Sequence, residues 1–273
     1  MLKTRALTAA VLLVVFASAL FFLPPSGWIV FCAILLGAAV WEWGALAALG
    51  PAGRCIYTVS LILLFLSPLG LDRAAANGLY APVWIYGVSV FFWMLLAPLW
   101  IWRKRQLGGQ ATLLAAGLLV LVPACAALVD LRNGHPMLLL AVLGTVWISD
   151  SAAYFVGRRF GKRKLAPSIS PGKTWEGVAG ALLAVCVYAL AWAGLGAPEN
   201  PWAGGTRAAP AWLLAVLLGL AVVGIIGDLF ESLIKRQAGV KDSGTLLPGH
   251  GGILDRIDAP VAMLPLAVLA FMR

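Results

Sequence analysis

Nine apolar stretches follow one another along the chain, at 6–23, 28–49, 55–71, 82–102, 111–130, 136–156, 176–197, 211–230 and 258–272. A backbone in lipid finds no water for its N–H and C=O groups, so only helices and closed barrels cross a bilayer. The stretches do not alternate with period two, which argues against a barrel. Most approach the ~20 residues that a spanning helix needs. The expected fold is all-α: a polytopic integral membrane protein of about nine transmembrane helices. The chain is 62% hydrophobic and 11% charged, and a soluble domain of this length carries far more charge. The last stretch is short and is expected to sit against other helices. Lys3 and Arg5 before the first stretch would suit a signal peptide, but no small-x-small cleavage site follows, so a retained helix is expected.

The basic residues give an orientation. With the amino terminus inside, the inside segments hold 16 of the 20 Lys and Arg residues, and Arg73, Arg132, Arg207 and Arg273 fall outside. Such a split favours an N-in, C-out topology. It places both long polar segments, 157–175 and 231–257, on the cytoplasmic side. No soluble domain is visible, so 1–273 reads as a single transmembrane domain. Its half 1–135 is a helical scaffold, and 136–273 carries a cytoplasm-facing site. The net charge of +9 is explained by this asymmetry and by anionic lipid, and nucleic acid is not an expected partner. Cys32, Cys55, Cys125 and Cys186 lack metal-ligand spacing and read as small hydrophobes.

Nine of the 31 charged residues lie in the 32 positions from Gly227 to Asp258. Charge at a bilayer boundary is costly unless it pairs, binds metal or meets a charged ligand. The eighth stretch is expected to continue as a helix through Asp228, Glu231 and Lys235, which share one face. A Glu231–Lys235 salt bridge would explain that pair and leave Asp228 without a local partner. After a polar loop with Lys241 and Asp242 comes Pro248-Gly249-His250-Gly251-Gly252, whose glycines let backbone N–H groups approach an anion. Asp255, Arg256 and Asp258 follow. Asp258 is either functional or an N-cap before Ala259-Pro260, and His250 either functional or a loop hydrogen-bonder. Asp150 is either a site residue or a buried carboxylate bonded to Ser149 and Ser151. Glu176 opens the seventh stretch, where the helix dipole alone would favour it. Glu42, between Trp41 and Trp43, is as compatible with helix packing as with function. Two carboxylates, Asp228 and Asp255, suit Mg²⁺, which fills its shell with water and substrate phosphate. Lys173, Lys235, Arg236, Lys241 and Arg256 supply cations on the same side. Acids for metal and bases for anions describe phosphoryl or nucleotidyl transfer, with a lipid as one substrate.

The run from Ser232 to Asp258, with Lys235-Arg236, Lys241-Asp242 and Leu247-Pro-Gly-His-Gly-Gly-Ile-Leu-Asp255-Arg256-Ile-Asp258, resembles the signature of the phosphatidate cytidylyltransferases (CDP-diacylglycerol synthases). Ser149-Asp150-Ser151-Ala-Ala-Tyr154-Phe155-x-Gly157-Arg158 and Ser170-Pro171-x-Lys173-Thr174-x-Glu176-Gly177 resemble the same family, with Ser151-Ala152 where Thr-Gly is usual. The resemblance covers the second half of the chain; in the first half only Glu42 is suggestive. It implies that CTP and phosphatidate give CDP-diacylglycerol and pyrophosphate with Mg²⁺, to which a second, monovalent cation can be added. Combined with the residues, it implies that Asp228 and Asp255 hold metal and that Lys235, Arg236, Lys241 and Arg256 offset phosphate charge. Ser170, Lys173, Thr174, Gly249, His250, Gly251 and Gly252 would bind substrate. Asp150, Glu176, Glu231, Asp242 and Asp258 would support the site or hold a second ion. Expected partners are the two substrates, membrane lipids and a second copy in a homodimer, in a bacterial inner membrane. The alternatives are a related CTP-using polyprenol or phytol kinase, an ether-lipid cytidylyltransferase, or, from another class, a transporter using Asp150 and Asp228 as a path.

Overall fold

The computed structural model describes residues 2–67, 79–103, 109–196, 199–200, 206–207, 209–249 and 251–272. His250 lies outside the described residues, as do Arg73, Lys104, Arg105 and Arg273 from the orientation argument. Among the described residues the chain forms nine helices, α1 Leu2–Phe22, α2 Pro25–Leu46, α3 Pro51–Phe65, α4 Val83–Arg103, α5 Gln110–Gly134, α6 Pro136–Phe160, α7 Trp175–Gly196, α8 Pro210–Gln237 and α9 Leu254–Phe271. Six of these, α2 and α4 to α8, are long and apolar enough to cross a membrane.

Proline sets several starts. Pro25, Pro51, Pro136 and Pro210 each occupy the first turn of their helix, where the missing N–H costs nothing and the fixed φ is already helical. Between α5 and α6, His135 is extended, and its Nδ1 accepts from Met137 N at 3.2 Å.

Burial separates inner from outer helices. In α2 and α5 about 61% of the apolar window is buried, against 17% in α7, which therefore turns most of its surface outward. The fullest packing is of α6 on α7 and of α8 on α9. Phe230 of α8 anchors the centre, with ring centroids of Trp43, Phe92, Trp93 and Trp100 at 6.4, 5.4, 5.5 and 5.4 Å. A π-turn at Phe92–Leu96 in α4 brings Phe92 and Trp93 onto that one ring. The knot ties α2 and α4 to the helix that bears Asp228, Glu231 and Lys235.

Three features differ from the sequence reading. The polar segment 157–175 contains an antiparallel hairpin, β1 Lys164–Ala166 with β2 Ser170–Thr174, in register Lys164↔Thr174 and Ala166↔Ser170. Buried Ile169 pins its turn. The connector 197–210 carries two short paired strands, β3 Glu199–Asn200 and β4 Thr206–Arg207. Helix α9 starts at Leu254, a turn before the apolar stretch, so Asp258 is inside the helix and is not its N-cap.

Candidate active site

The polar end of α8 and the first turn of α9 meet through one lysine. Lys235 Nζ lies 3.1 Å from Glu231 Oε2 and 2.6 Å from Asp255 Oδ1. The Glu231–Lys235 bridge of the sequence reading is therefore present, as one arm of a three-residue cluster. The second oxygen of Asp255 holds the loop. Its Oδ2 accepts from Gly252 N at 2.8 Å and Ser243 N at 3.0 Å, and Ser243 Oγ lies 3.1 Å away. Gly251 has φ +80°, and a Cβ there would meet Asp255 Oδ2 at 2.6 Å, so this turn requires glycine.

On its own helix Asp228 accepts only from Ser232 Oγ, at 3.4 Å, and the β1–β2 hairpin supplies the cation. Lys173 Nζ sits 2.5 Å from Asp228 Oδ2, with both side chains only partly exposed. Thr174 Oγ1 accepts from Gly177 N at 3.1 Å and caps α7. Glu176 accepts from Lys162 N and Arg163 N at 3.1 and 3.2 Å, which anchors the chain leaving α6.

These contacts enclose two polar cavities. The first, of about 750 Å³, is lined by Asp150, Tyr154 and Arg158 of α6, by Lys164, Ser170, Lys173 and Thr174 of the hairpin segment, by Asp228 of α8, and by Asp255 and Asp258 of α9. Ala153, Val178 and Ile225 add apolar wall. The second, of about 580 Å³, is lined by Lys241, Asp242, Gly249, Gly251 and Arg256. Chain segments far apart in sequence thus converge at one end of the bundle.

Asp150, Asp228, Asp255 and Asp258 share the first cavity, together with Ser170, Lys173 and Thr174. Lys241, Asp242, Arg256, Gly249 and Gly251 share the second. Lys235 and buried Glu231 stand behind Asp255 and line neither cavity. Arg236 turns away, with Nε 3.4 Å from Ile169 O and Nη1 3.4 Å from Val240 O. Gly252 is buried against Ser243 and Glu42. Asp150 is exposed towards the first cavity, in contrast to the buried alternative. Sequence reasoning left out Tyr154, Arg158, Lys164 and Ser243. The first two lay in a recognised motif and the last in the quoted loop, but nothing in the spacing marked them.

Among the described residues no three His, Cys, Asp or Glu side chains form a ready-made metal cage. Mg²⁺ does not need one, since one or two carboxylates suffice when water and phosphate complete its shell. The donors also fit in kind. Asp150, Asp228, Asp255 and Asp258 put four carboxylates on one cavity, although Lys173 and Lys235 occupy one oxygen each of Asp228 and Asp255.

The model of the family described as "Cytidylyltransferase family" matches residues 3–272. The chain belongs to this family. It is 41% identical to a phosphatidate cytidylyltransferase of Pseudomonas aeruginosa over 277 residues, covering 97% of this chain and 95% of the relative. To the phosphatidate cytidylyltransferase of Haemophilus influenzae it is 37% identical over 290 residues, covering 97% and 96%. A phosphatidate cytidylyltransferase of Bacillus subtilis is 47% identical over 120 residues, or 44% of this chain and 42% of the relative. A cytidylyltransferase is an enzyme of nucleotidyl transfer, which sets the transporter reading aside. With six long apolar helices, this cytidylyltransferase is an integral membrane protein.

Proposed function

We propose that the enzyme transfers the cytidylyl group of CTP to phosphatidate, giving CDP-diacylglycerol and pyrophosphate at the cytoplasmic face of a bacterial inner membrane. The observation that carries this is the convergence of acids and bases from α6, the hairpin, α8 and α9 on one cavity with a partly apolar wall. The named relatives point to the same substrate. The first cavity receives the lipid head, with its glycerol end against Ala153, Val178 and Ile225. The second receives the pyrophosphate end of CTP, against Lys241, Arg256 and the glycine-rich backbone.

A phosphate oxygen of phosphatidate attacks the α-phosphorus of CTP, and the α–β bridging P–O bond breaks to release pyrophosphate. The nucleophile is already anionic, so no base is required. The barrier is the repulsion of two polyanions, and preorganised cations lower it. Lys173, held on the cavity wall by Asp228, faces the reacting phosphates. Lys241 and Arg256 take the charge of the leaving group. Lys235 is fixed between Glu231 and Asp255 and, from behind the wall, offsets the negative charge of Asp255. Asp228 and Asp255 would hold Mg²⁺, with Asp150 and Asp258 beside them. The ion, when bound, neutralises phosphate charge in the transition state.

Purified protein in detergent micelles with CTP, phosphatidate and Mg²⁺ should form CDP-diacylglycerol and pyrophosphate in equal amounts. Product from phytol, polyprenol or an archaeal ether lipid, with none from phosphatidate, would overturn the proposal in favour of a related lipid enzyme.

A further inference from the structure

Glu42 stands apart from the residues assigned so far. It belongs to α2, in the first half of the chain, and is 3% exposed. It lines neither cavity. Its carboxylate reaches the other half of the molecule. Oε1 accepts from Ile253 N at 2.9 Å, and Oε2 accepts from Leu254 N and Ser243 Oγ, both at 2.9 Å. Ile253 supplies no side-chain cap to α9, so the start of that helix is capped by an acid from a different helix. The helix dipole favours an anion there.

Helix packing alone does not account for this. A buried carboxylate is costly unless its partners are complete, and an apolar residue would fill the same space between α2 and its neighbours. The loop is also built around this side chain. A Cβ on Gly252 would collide with Ser243 Oγ and Glu42 Oε2, and one on Gly244 would meet Glu42 Oε1 at 2.6 Å. Ser243 completes the connection. Its hydroxyl stands 2.9 Å from Glu42 Oε2 and 3.1 Å from Asp255 Oδ2, and its own N–H holds Asp255. Asp255 in turn holds Lys235.

We infer that Glu42 is a positioning residue of the reaction: through Ser243 and the start of α9 it fixes Asp255 in the wall of the first cavity, and through Asp255 it fixes Lys235 behind that wall. The inference rests on the proposed cytidylyl transfer. Because Glu42 touches neither substrate site, its loss acts on the geometry of the transition state more than on substrate binding. A misplacement of about 1 Å at such a wall can cost on the order of a hundredfold in rate.

The test is steady-state kinetics of Glu42→Gln, Ser243→Ala and the double variant in micelles, beside thermal midpoints and amide exchange at Ile253 and Leu254. Wild-type turnover is measured first, and its absence would refute the proposed reaction irrespective of Glu42. With turnover present, Glu42→Gln should lower kcat tenfold or more, leave both KM values within about threefold, and speed exchange at Ile253 and Leu254. Ser243→Ala should lower kcat at a temperature where it is folded, with the midpoint lowered by only a few degrees, and the double variant should lose less than the product of the two effects. Wild-type kcat per folded molecule in both single variants overturns the inference. Independent, multiplicative losses overturn it as well. If Glu42→Gln does not fold, Ser243→Ala decides: reduced kcat supports the connection, and wild-type kcat overturns it.

Discussion

The substitution Asp255→Asn removes one charge and leaves the shape unchanged. In the wild type the four contacts divide cleanly, with Lys235 Nζ on Oδ1 and Gly252 N, Ser243 N and Ser243 Oγ on Oδ2. An amide has one acceptor. If its nitrogen faces Lys235, donor meets ammonium; if it faces the loop, two backbone N–H groups lose their acceptor. Either way at least one charge-assisted bond disappears, worth about 1.5–3 kcal/mol. Lys235 keeps Glu231 at 3.1 Å, so the cost stays under the ~3–5 kcal/mol of a wholly orphaned buried charge. A loss of about 2 kcal/mol lowers the thermal midpoint by roughly 4–8 °C for a chain of this size. The effect on rate should be larger, since one preorganised group is worth about 10²–10³ in turnover and the proposed metal contact would be lost with it. The variant should make no detectable CDP-diacylglycerol in micelles with CTP, phosphatidate and Mg²⁺, at a temperature where it is folded. Turnover within about threefold of wild type, with only the midpoint lowered, would make Asp255 a loop anchor and nothing more.

Lys173→Met removes the ammonium 2.5 Å from Asp228 and should lower kcat/KM by about a hundredfold, measured from initial rates. Gly252→Ala forces a methyl into Ser243 and Glu42 and should cost at least tenfold in kcat by disturbing the wall near Asp255. Phe230→Ala empties the centre of the aromatic knot and should lower stability by about 3 kcal/mol, read as a fall in midpoint.

The helices were legible because apolar run length and first-turn prolines both act locally. Pro25, Pro51, Pro136 and Pro210 begin helices near the sequence-read edges. The spacing of Asp228, Glu231 and Lys235 gave their common face and one of the two partners of Lys235. The other contacts were not local. Lys173 meets Asp228 because a hairpin folds back, and its strands are too short to show a clear period of two. The true start of α9 was missed because its capping acid is Glu42, more than two hundred residues earlier, and no short-range signal encodes such a cap. Arg236 fell within a charged run whose composition could not tell a cavity-facing base from one that tethers Ile169 and Val240.

The charges of the first cavity do not cancel by pairing. Asp228 has Lys173, while Asp255 and Glu231 share Lys235. Asp150 and Asp258 line the same space, and among the described residues no ion pair within 4.0 Å engages either. Arg158 and Lys164 share that lining without an ion pair to either acid, and acids left unpaired at a bilayer boundary are expensive, so a divalent cation held by them would be a relief. The protein should therefore take up Mg²⁺ before any substrate arrives. A ligand that binds only the folded state stabilises it by RT ln(1 + [L]/Kd). At ten times Kd this is about 1.4 kcal/mol, or a rise of roughly 3–6 °C. Thermal melts in micelles without nucleotide or added phosphatidate would show the rise with Mg²⁺ and lose it in Asp228→Asn. A midpoint indifferent to Mg²⁺, or an equal rise in the variant, would mean that the ion arrives with CTP and that the surplus acids serve another purpose.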